Sequence, residues 1–132
     1  MEFIIANSTE LLLLLFLIIT FLQSGWDKLT DWTGNLAWLK GHFEKTPLKN
    51  SVPLLLGVVL ILEILAAILC TISVVQILGT GKSSFAMYGA AVSCIVLLML
   101  LFGQRVAKDY DGARTIAIYF IPAIFLVYLL QA

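Results

Sequence analysis

The sequence predicts an all-α membrane protein: a four-transmembrane-helix antiparallel bundle with an amphipathic surface segment in the first loop. Three observations predict it, namely an apolar composition, four long apolar stretches, and short polar segments between them. Hydrophobic residues make up 61% of the chain and charged residues 12%, and the mean hydropathy is +1.05. Soluble domains usually carry about 25% charged residues. A lipid bilayer is therefore the expected surrounding of most of the chain.

The four apolar stretches have the length of membrane-crossing helices. A helix needs about 20 apolar residues to cross a hydrocarbon core about 30 Å thick. Lipid offers the backbone no hydrogen-bond partners, so such stretches must form helices or the strands of a closed barrel. Barrel strands alternate apolar with polar residues, and the run Leu11 to Phe16 does not. The predicted helices of this single membrane domain, 1–132, cover about residues 10–26, 53–77, 84–104 and 115–130.

Serine, glycine and proline mark the ends of these helices. Ser51 and Pro53 fit a helix start, because serine caps free N–H groups and proline is tolerated in a first turn. The run Gly79 to Ser83 predicts a tight turn, so the second and third helices should form an antiparallel hairpin. Pro122 lies inside the fourth stretch, where its missing N–H is expected to kink the helix.

The first polar connection has a pattern of its own. Apolar residues recur there at steps of three and four, which places them on one helical stripe. They are Leu29, Trp32, Leu36, Leu39 and Phe43. With lysines elsewhere around the helix, the pattern predicts an amphipathic segment at the membrane surface over about residues 28–46. The alternative is an ordinary aromatic belt formed by Trp26, Trp32 and Trp38.

The distribution of basic residues predicts the orientation. Lys and Arg collect on the cytoplasmic side of a membrane because they resist translocation. Seven of the eight lie in loops one and three, and Lys82 lies in the turn on the other side. We therefore expect loops one and three in the cytoplasm and both termini outside it.

Glu63 is the main chemical feature, since it lies near the bilayer midplane. An ionised group there costs about 2.5 to 3.5 kcal/mol, so it should be paired, protonated or facing a cavity. It shares a helix face with Ala66 and Cys70, whose small side chains should point into the bundle. Two interpretations stand with equal weight: a neutral glutamate that joins helices by hydrogen bonds, and a proton-relay or ligand site.

Other polar residues could lie near this glutamate. Judged by depth, the candidates for an intramembrane polar site with Glu63 are Ser93, Gln23, Tyr119 and Gln104. A polar seam toward Lys28 and Arg105 is also predicted. The charged third loop is interpreted either as a solvated hairpin near lipid headgroups or as a docking patch. The candidates for that patch on the cytoplasmic face are Lys28, His42, Arg105, Lys108, Asp109 and Asp111.

Several functions are disfavoured by what the sequence lacks. The formal net charge is zero, which argues against a nucleic-acid partner. His42 is the single histidine, so no metal or haem site of several histidines is expected, and no phosphate-binding loop is present. Cys70 and Cys94 should differ in depth by about 6 Å, which strains a disulfide. They are interpreted as small packing residues, and no catalytic residue is predicted.

The end of the first helix resembles a known family. Ser24, Gly25, Lys28 and Leu29 form an SGxxKL sequence that is similar to the signature of DoxX-like membrane proteins. The second helix, with its leading proline, Gly57 and Glu63, also resembles the Leu-Gly-Glu pattern of that family. The resemblance covers the four-helix layout of the whole chain.

The resemblance implies a small protein of the bacterial inner membrane in the DoxX and MauE group, whose namesakes accompany quinone-linked or thiol-linked oxidation. It implies a non-catalytic accessory subunit of a redox complex, with quinone as the candidate cofactor and other membrane or cytoplasmic proteins as partners. The chain departs from the redox-active relatives because it has no closely spaced cysteine pair. The alternative is a structural or assembly subunit, with Glu63 serving helix packing. A homo-oligomer is left open.

The orientation is open to direct test. A cysteine added after the C-terminus is expected to react with a membrane-impermeant maleimide in intact cells, because that end should lie outside the cytoplasm. The unaltered chain, with only its intramembrane cysteines, serves as the control. Labelling that appears only after the cells are lysed would contradict the predicted orientation.

Overall fold

The computed structural model describes residues 2–131, and over these residues the chain forms six helices. They are α1 (Glu2–Ala6), α2 (Ser8–Thr30), α3 (Trp32–His42), α4 (Val52–Thr80), α5 (Ala86–Val106) and α6 (Tyr110–Gln131). Four of them, α2, α4, α5 and α6, are long and apolar enough to cross a membrane. The predicted all-α, four-helix membrane bundle is confirmed, and the chain is a multi-pass membrane protein.

Helix packing follows the order of the chain. The main contacts join α2 to α4, α4 to α5 and α5 to α6, and a smaller contact of α2 with α6 closes the bundle. One end carries the connections from α2 to α4 and from α5 to α6; seven of the eight basic residues lie in these connections or in the adjoining ends of the helices, so we call it the basic end. The turn between α4 and α5 lies at the opposite end.

Two of the long helices have ends that differ from the limits of the apolar stretches. Helix α2 continues past the expected residue 26 to Thr30, and Lys28 in its last turn contacts Ser24 and Glu63. Helix α6 begins at Tyr110, five residues before the expected start at 115. Asp109 caps this start, because its Oδ1 accepts a hydrogen bond of 2.9 Å from the Gly112 N–H. Helix α6 remains one helix through Pro122.

The core consists of apolar side chains from all four long helices. Leu14, Leu17, Val96 and Leu126 are almost completely buried where the helices meet. Large apolar side chains on the outer faces are exposed, as expected where lipid replaces water as the solvent. Burial of the inward faces therefore leaves an apolar outer surface that suits a bilayer.

Helices α4 and α5 approach each other closely at Gly89. A Cβ atom added there would lie 3.0 Å from Cys70 Sγ, 3.2 Å from Cys70 N and 3.3 Å from Leu69 Cβ. Cys70 and Cys94 are both buried and unpaired. A side chain at position 89 would therefore press on the α4 backbone as well as on a thiol.

The opposite end is closed by α1, which the sequence did not predict. Gly81 ends α4 in the left-handed conformation, with φ 79°, that favours glycine. The Phe3 ring lies against Gly81, and the Asn7 amide donates a hydrogen bond of 3.3 Å to the Gly81 carbonyl. These contacts hold the N-terminal segment on the turn between α4 and α5.

The close approach at Gly89 gives a stability prediction. Gly89→Ala is expected to lower the free energy of unfolding by about 1 to 3 kcal/mol, because the added methyl group overpacks the α4–α5 contact. Gly79→Ala is the matched control, since a Cβ there meets nothing within 4 Å. Denaturation in mixed detergent micelles measures both, and equal stability of the two variants would contradict the packing described.

Candidate functional site

A buried ion pair joins α2 to α4 in the half of the bundle near the basic end. Lys28 Nζ lies 3.0 Å from Glu63 Oε1, and the side chains are 16% and 0% exposed. A helical side chain leans toward the N-terminus of its helix, so Lys28 reaches back into the membrane instead of out to the surface. The structure thus brings together two of the residues singled out in the sequence.

The surroundings explain how Lys28 reaches this depth. Its ammonium also donates a hydrogen bond of 2.7 Å to Ser24 Oγ, one turn earlier in α2. Gly25 lies in the same interface, where a Cβ would be in ordinary contact with Ile64 Cγ1 at 3.7 Å. The serine, glycine and lysine of the SGxxKL sequence therefore all face α4, and the serine and lysine make the polar contacts.

Glu63 is less well satisfied than its partner. The ammonium is within ion-pair distance of Oε1, but it is not aligned as a hydrogen bond, and Oε2 has no partner within residues 2–131. The 3.0 Å distance is sufficient for a strong Coulomb attraction in a medium of low dielectric. Glu63 is thus held by charge, and neither of its carboxylate oxygens accepts a hydrogen bond from residues 2–131.

A cavity of about 570 Å³ lies beside this pair, and most of its lining residues belong to α3, α4 and α5. Its wall is mainly apolar, with Leu55, Val59, Leu98 and Met99 among the lining residues. The polar groups on the wall come from Lys28, Asn35 and Gln104. An apolar wall with a few polar groups is typical of a small-molecule site.

The cavity opens toward lipid. Ile95, Leu98 and Phe102 line it and are 52%, 51% and 64% exposed on the outer face of α5. Those side chains lie on a membrane-crossing helix, so their exposed sides face the bilayer. A ligand could therefore reach Lys28 laterally from the membrane.

Helix α3 covers the cavity at the membrane surface. Asp31 caps its start, where Oδ1 accepts a hydrogen bond of 3.2 Å from the Gly34 N–H. The amphipathic segment expected over 28–46 is this shorter helix. Four residues of the predicted stripe are half-buried, Trp32, Leu36, Leu39 and Phe43, whereas Leu29 is exposed on the end of α2. Trp26 and Trp38 are exposed, as a tryptophan belt requires.

The end of α3 is attached to the end of α5. His42 Nε2 lies 2.9 Å from Gln104 Oε1 and 3.6 Å from Asp109 Oδ2. The Phe43 ring reaches to 3.5 Å from where a Cβ of Gly103 would be. Because Gln104 and Phe43 also line the cavity, these contacts fix its roof.

The remaining candidates of the intramembrane site make no hydrogen bond to Glu63. Ser93 donates a hydrogen bond of 2.7 Å to Gly89 O within α5. Gly89 lies against Cys70, so Ser93 is opposite Ala66, about 4.5 Å from Glu63 along α4, but its hydroxyl is directed to its own helix. Gln23 is exposed, and Tyr119 makes an edge contact with Phe16 on the outer surface. None of Ser93, Gln23 and Tyr119 lines the cavity.

The docking candidates form two groups. Lys28, His42 and Asp109 take part in the contacts described above and are largely covered. Arg105, Lys108 and Asp111 are exposed, with the Arg105 guanidinium 5.0 Å from the centre of the Tyr110 ring and Asp111 Oδ1 3.3 Å from Arg114. The exposed group is available to a partner at the basic end.

Sequence reasoning missed most of the cavity wall, including Asn35, Trp38 and Met99. Asn35 could have been identified from the sequence, because it is a polar residue next to Leu36 of the apolar stripe in the first loop. Within residues 2–131, no three side chains of His, Cys, Asp or Glu are grouped to hold a metal ion.

Comparisons with protein-family models, with curated proteins and with solved structures gave no match to this chain.

The ion pair gives an asymmetric mutational prediction. Lys28→Met should lower the free energy of unfolding by about 3 kcal/mol, because it leaves a buried carboxylate without a counter-charge. Glu63→Gln should cost less, about 1 kcal/mol, since the freed lysine is near the end of α2 and can turn toward the surface. The free energy of unfolding is measured in mixed detergent micelles. Lys40→Met is the control, because Lys40 is an exposed lysine. Equal costs for Lys28→Met and Lys40→Met would show that no such pair forms.

Proposed function

We propose that this chain is a DoxX-like protein of the bacterial inner membrane and a non-catalytic accessory subunit of a quinone-linked redox complex. In this proposal the cavity beside Lys28 holds the ring of a quinone, whose tail remains in the bilayer. The observation that carries the proposal is an apolar cavity of about 570 Å³, open to lipid, with a buried lysine on its wall.

Size and access both support a membrane-soluble ligand. Small-molecule sites usually measure about 300 to 1,000 Å³ and are mostly apolar with a few polar groups. The cavity satisfies both conditions, and its opening between lipid-facing residues of α5 suits a molecule that diffuses within the membrane. A water-soluble substrate would have to pass the roof formed by α3.

The polar groups suit a ligand with carbonyl oxygens. The Lys28 ammonium donates to Ser24 Oγ at 2.7 Å, and its second hydrogen bond, to the Ser24 carbonyl, is long at 3.5 Å, so a ligand oxygen could replace the second one. Gln104 contributes an amide on the same wall, at the basic end. A quinone carbonyl accepts hydrogen bonds from groups of this kind, and its apolar ring fits the leucine and methionine wall.

An accessory role follows from what these residues can do. Lys28 and Gln104 can bind and orient a quinone, and Glu63 holds the Lys28 side chain in place. Electrons would pass between the quinone and a partner protein at the basic end, where Arg105, Lys108 and Asp111 are exposed. The thiol-linked alternative is less well supported, because Cys70 and Cys94 are buried and unpaired.

Blocking the cavity tests the proposal. Leu98→Trp places a large ring in the opening and is expected to weaken quinone binding at least tenfold. Leu78→Trp is the matched control: Leu78 is 48% exposed, similar to the 51% of Leu98, but lies at the opposite end and does not line the cavity. Titration of the purified chain with a short-tailed quinone, followed by tryptophan fluorescence, measures the affinity, and the control should remain within about twofold of the original chain.

A second candidate is a structural or assembly subunit. It is favoured by the complete burial of Glu63, which joins α2 to α4 without lining the cavity. In that case the original chain would bind no quinone, and Leu98→Trp and Leu78→Trp would recover the same partner proteins in equal amounts. That result would replace the quinone proposal with the structural one.

A further inference from the structure

We propose a second binding site at the basic end, which takes the phosphodiester headgroup of an anionic phospholipid. The site is an open recess of about 480 Å³ between the end of α3 and the start of α4. It is lined by Lys40, Glu44, Lys49, Asn50 and Pro53 and shares no lining residue with the cavity beside Lys28. The inference does not depend on the quinone proposal.

The charges of the recess favour an anion. Two lysines and one glutamate leave one positive charge in excess. Within residues 2–131, neither Lys40 nor Lys49 is engaged in an ion pair, so both ammonium groups are available. Lysine is a strong point-charge partner for phosphate. The carboxylate of Glu44 lies on the same wall and would repel a phosphate that bound too near it.

The start of α4 adds to this preference. Asn50 and Pro53 lie on either side of Ser51, whose side chain makes no capping hydrogen bond to the first turn. The N-terminus of a long helix carries a partial positive charge and N–H groups without helical partners. The helix end therefore reinforces the field of the two lysines.

An apolar strip runs from the recess into the membrane, and it distinguishes a lipid from a free anion. Leu54 follows the lining residue Pro53, and further exposed apolar side chains succeed it along the same face of α4. These are Ile61, Leu65 and Ile68. Residues seven apart in a helix lie about 10 Å apart on nearly the same face, so the strip offers an acyl chain a continuous path. A charged recess at the surface and an apolar strip beneath it match the two parts of a phospholipid.

The test measures lipid bound to the full-length chain in a neutral detergent by native mass spectrometry. The probes are phosphatidylglycerol, phosphatidylcholine and deacylated glycerophosphoglycerol. Lys40→Gln combined with Lys49→Gln is compared with Lys45→Gln combined with Lys108→Gln. Both double variants remove two exposed lysines from the basic end, but only the first pair lines the recess.

Phosphatidylglycerol should bind the original chain more tightly than phosphatidylcholine does. The recess variant should lose about 30-fold in affinity for it, since each lysine near a lipid surface contributes about fivefold. The control variant should change by less than about threefold.

Two results would overturn the inference. Equal losses in the two double variants would mean that lipid is attracted by the overall charge of the basic end rather than by the recess. Deacylated glycerophosphoglycerol that binds as tightly as the intact lipid would show an anion site without a role for the apolar strip. Gel filtration of each variant confirms that the bundle is intact, which is expected because all four lysines are exposed.

Discussion

The arrangement of this bundle depends on one constraint: a glutamate at the middle of α4 must be neutralised without access to water. Lys28 meets that need because its side chain leans back along α2 into the membrane, where Ser24 and Glu63 receive its ammonium. The contact joins α2 to α4, and Gly25 lies in the same interface, beside Ile64. It also leaves Lys28 on the wall of a mainly apolar cavity.

The sequence was sufficient for the number and order of the membrane helices, because an apolar stretch in lipid must satisfy its own backbone hydrogen bonds. Helix ends were less predictable. Asp109 starts α6 five residues before the apolar stretch, and α1 folds over Gly81 through contacts of Phe3 and Asn7 that no local pattern indicates. Such ends are decided by caps and by tertiary contacts, which hydropathy does not record.

The candidate site, too, could be predicted from the sequence only in part. Burial of Glu63 followed from its depth, and Lys28 was named as part of a polar seam toward it. Ser93 was expected at the height of Glu63, and the contact of Gly89 with Cys70 places it opposite Ala66, about 4.5 Å from Glu63 along the helix axis. Its hydroxyl nevertheless donates to the Gly89 carbonyl and not to the carboxylate. Depth counted from the loop ends gave the height to within a turn, whereas the direction of each polar group depends on how the side chains of the two helices interdigitate. The cavity wall, made by three helices, was beyond sequence reasoning for the same reason.

The central claim is that this bundle serves a quinone-linked complex, and the most direct measurement starts from native membranes. The tagged chain is purified in a gentle detergent, and mass spectrometry identifies every protein and lipid-soluble cofactor that accompanies it. The proposal predicts a bound quinone together with a dehydrogenase or an oxidase. Recovery with a secretion, envelope or transport assembly and without quinone would contradict it, and the ion pair of Lys28 with Glu63 would then serve packing alone.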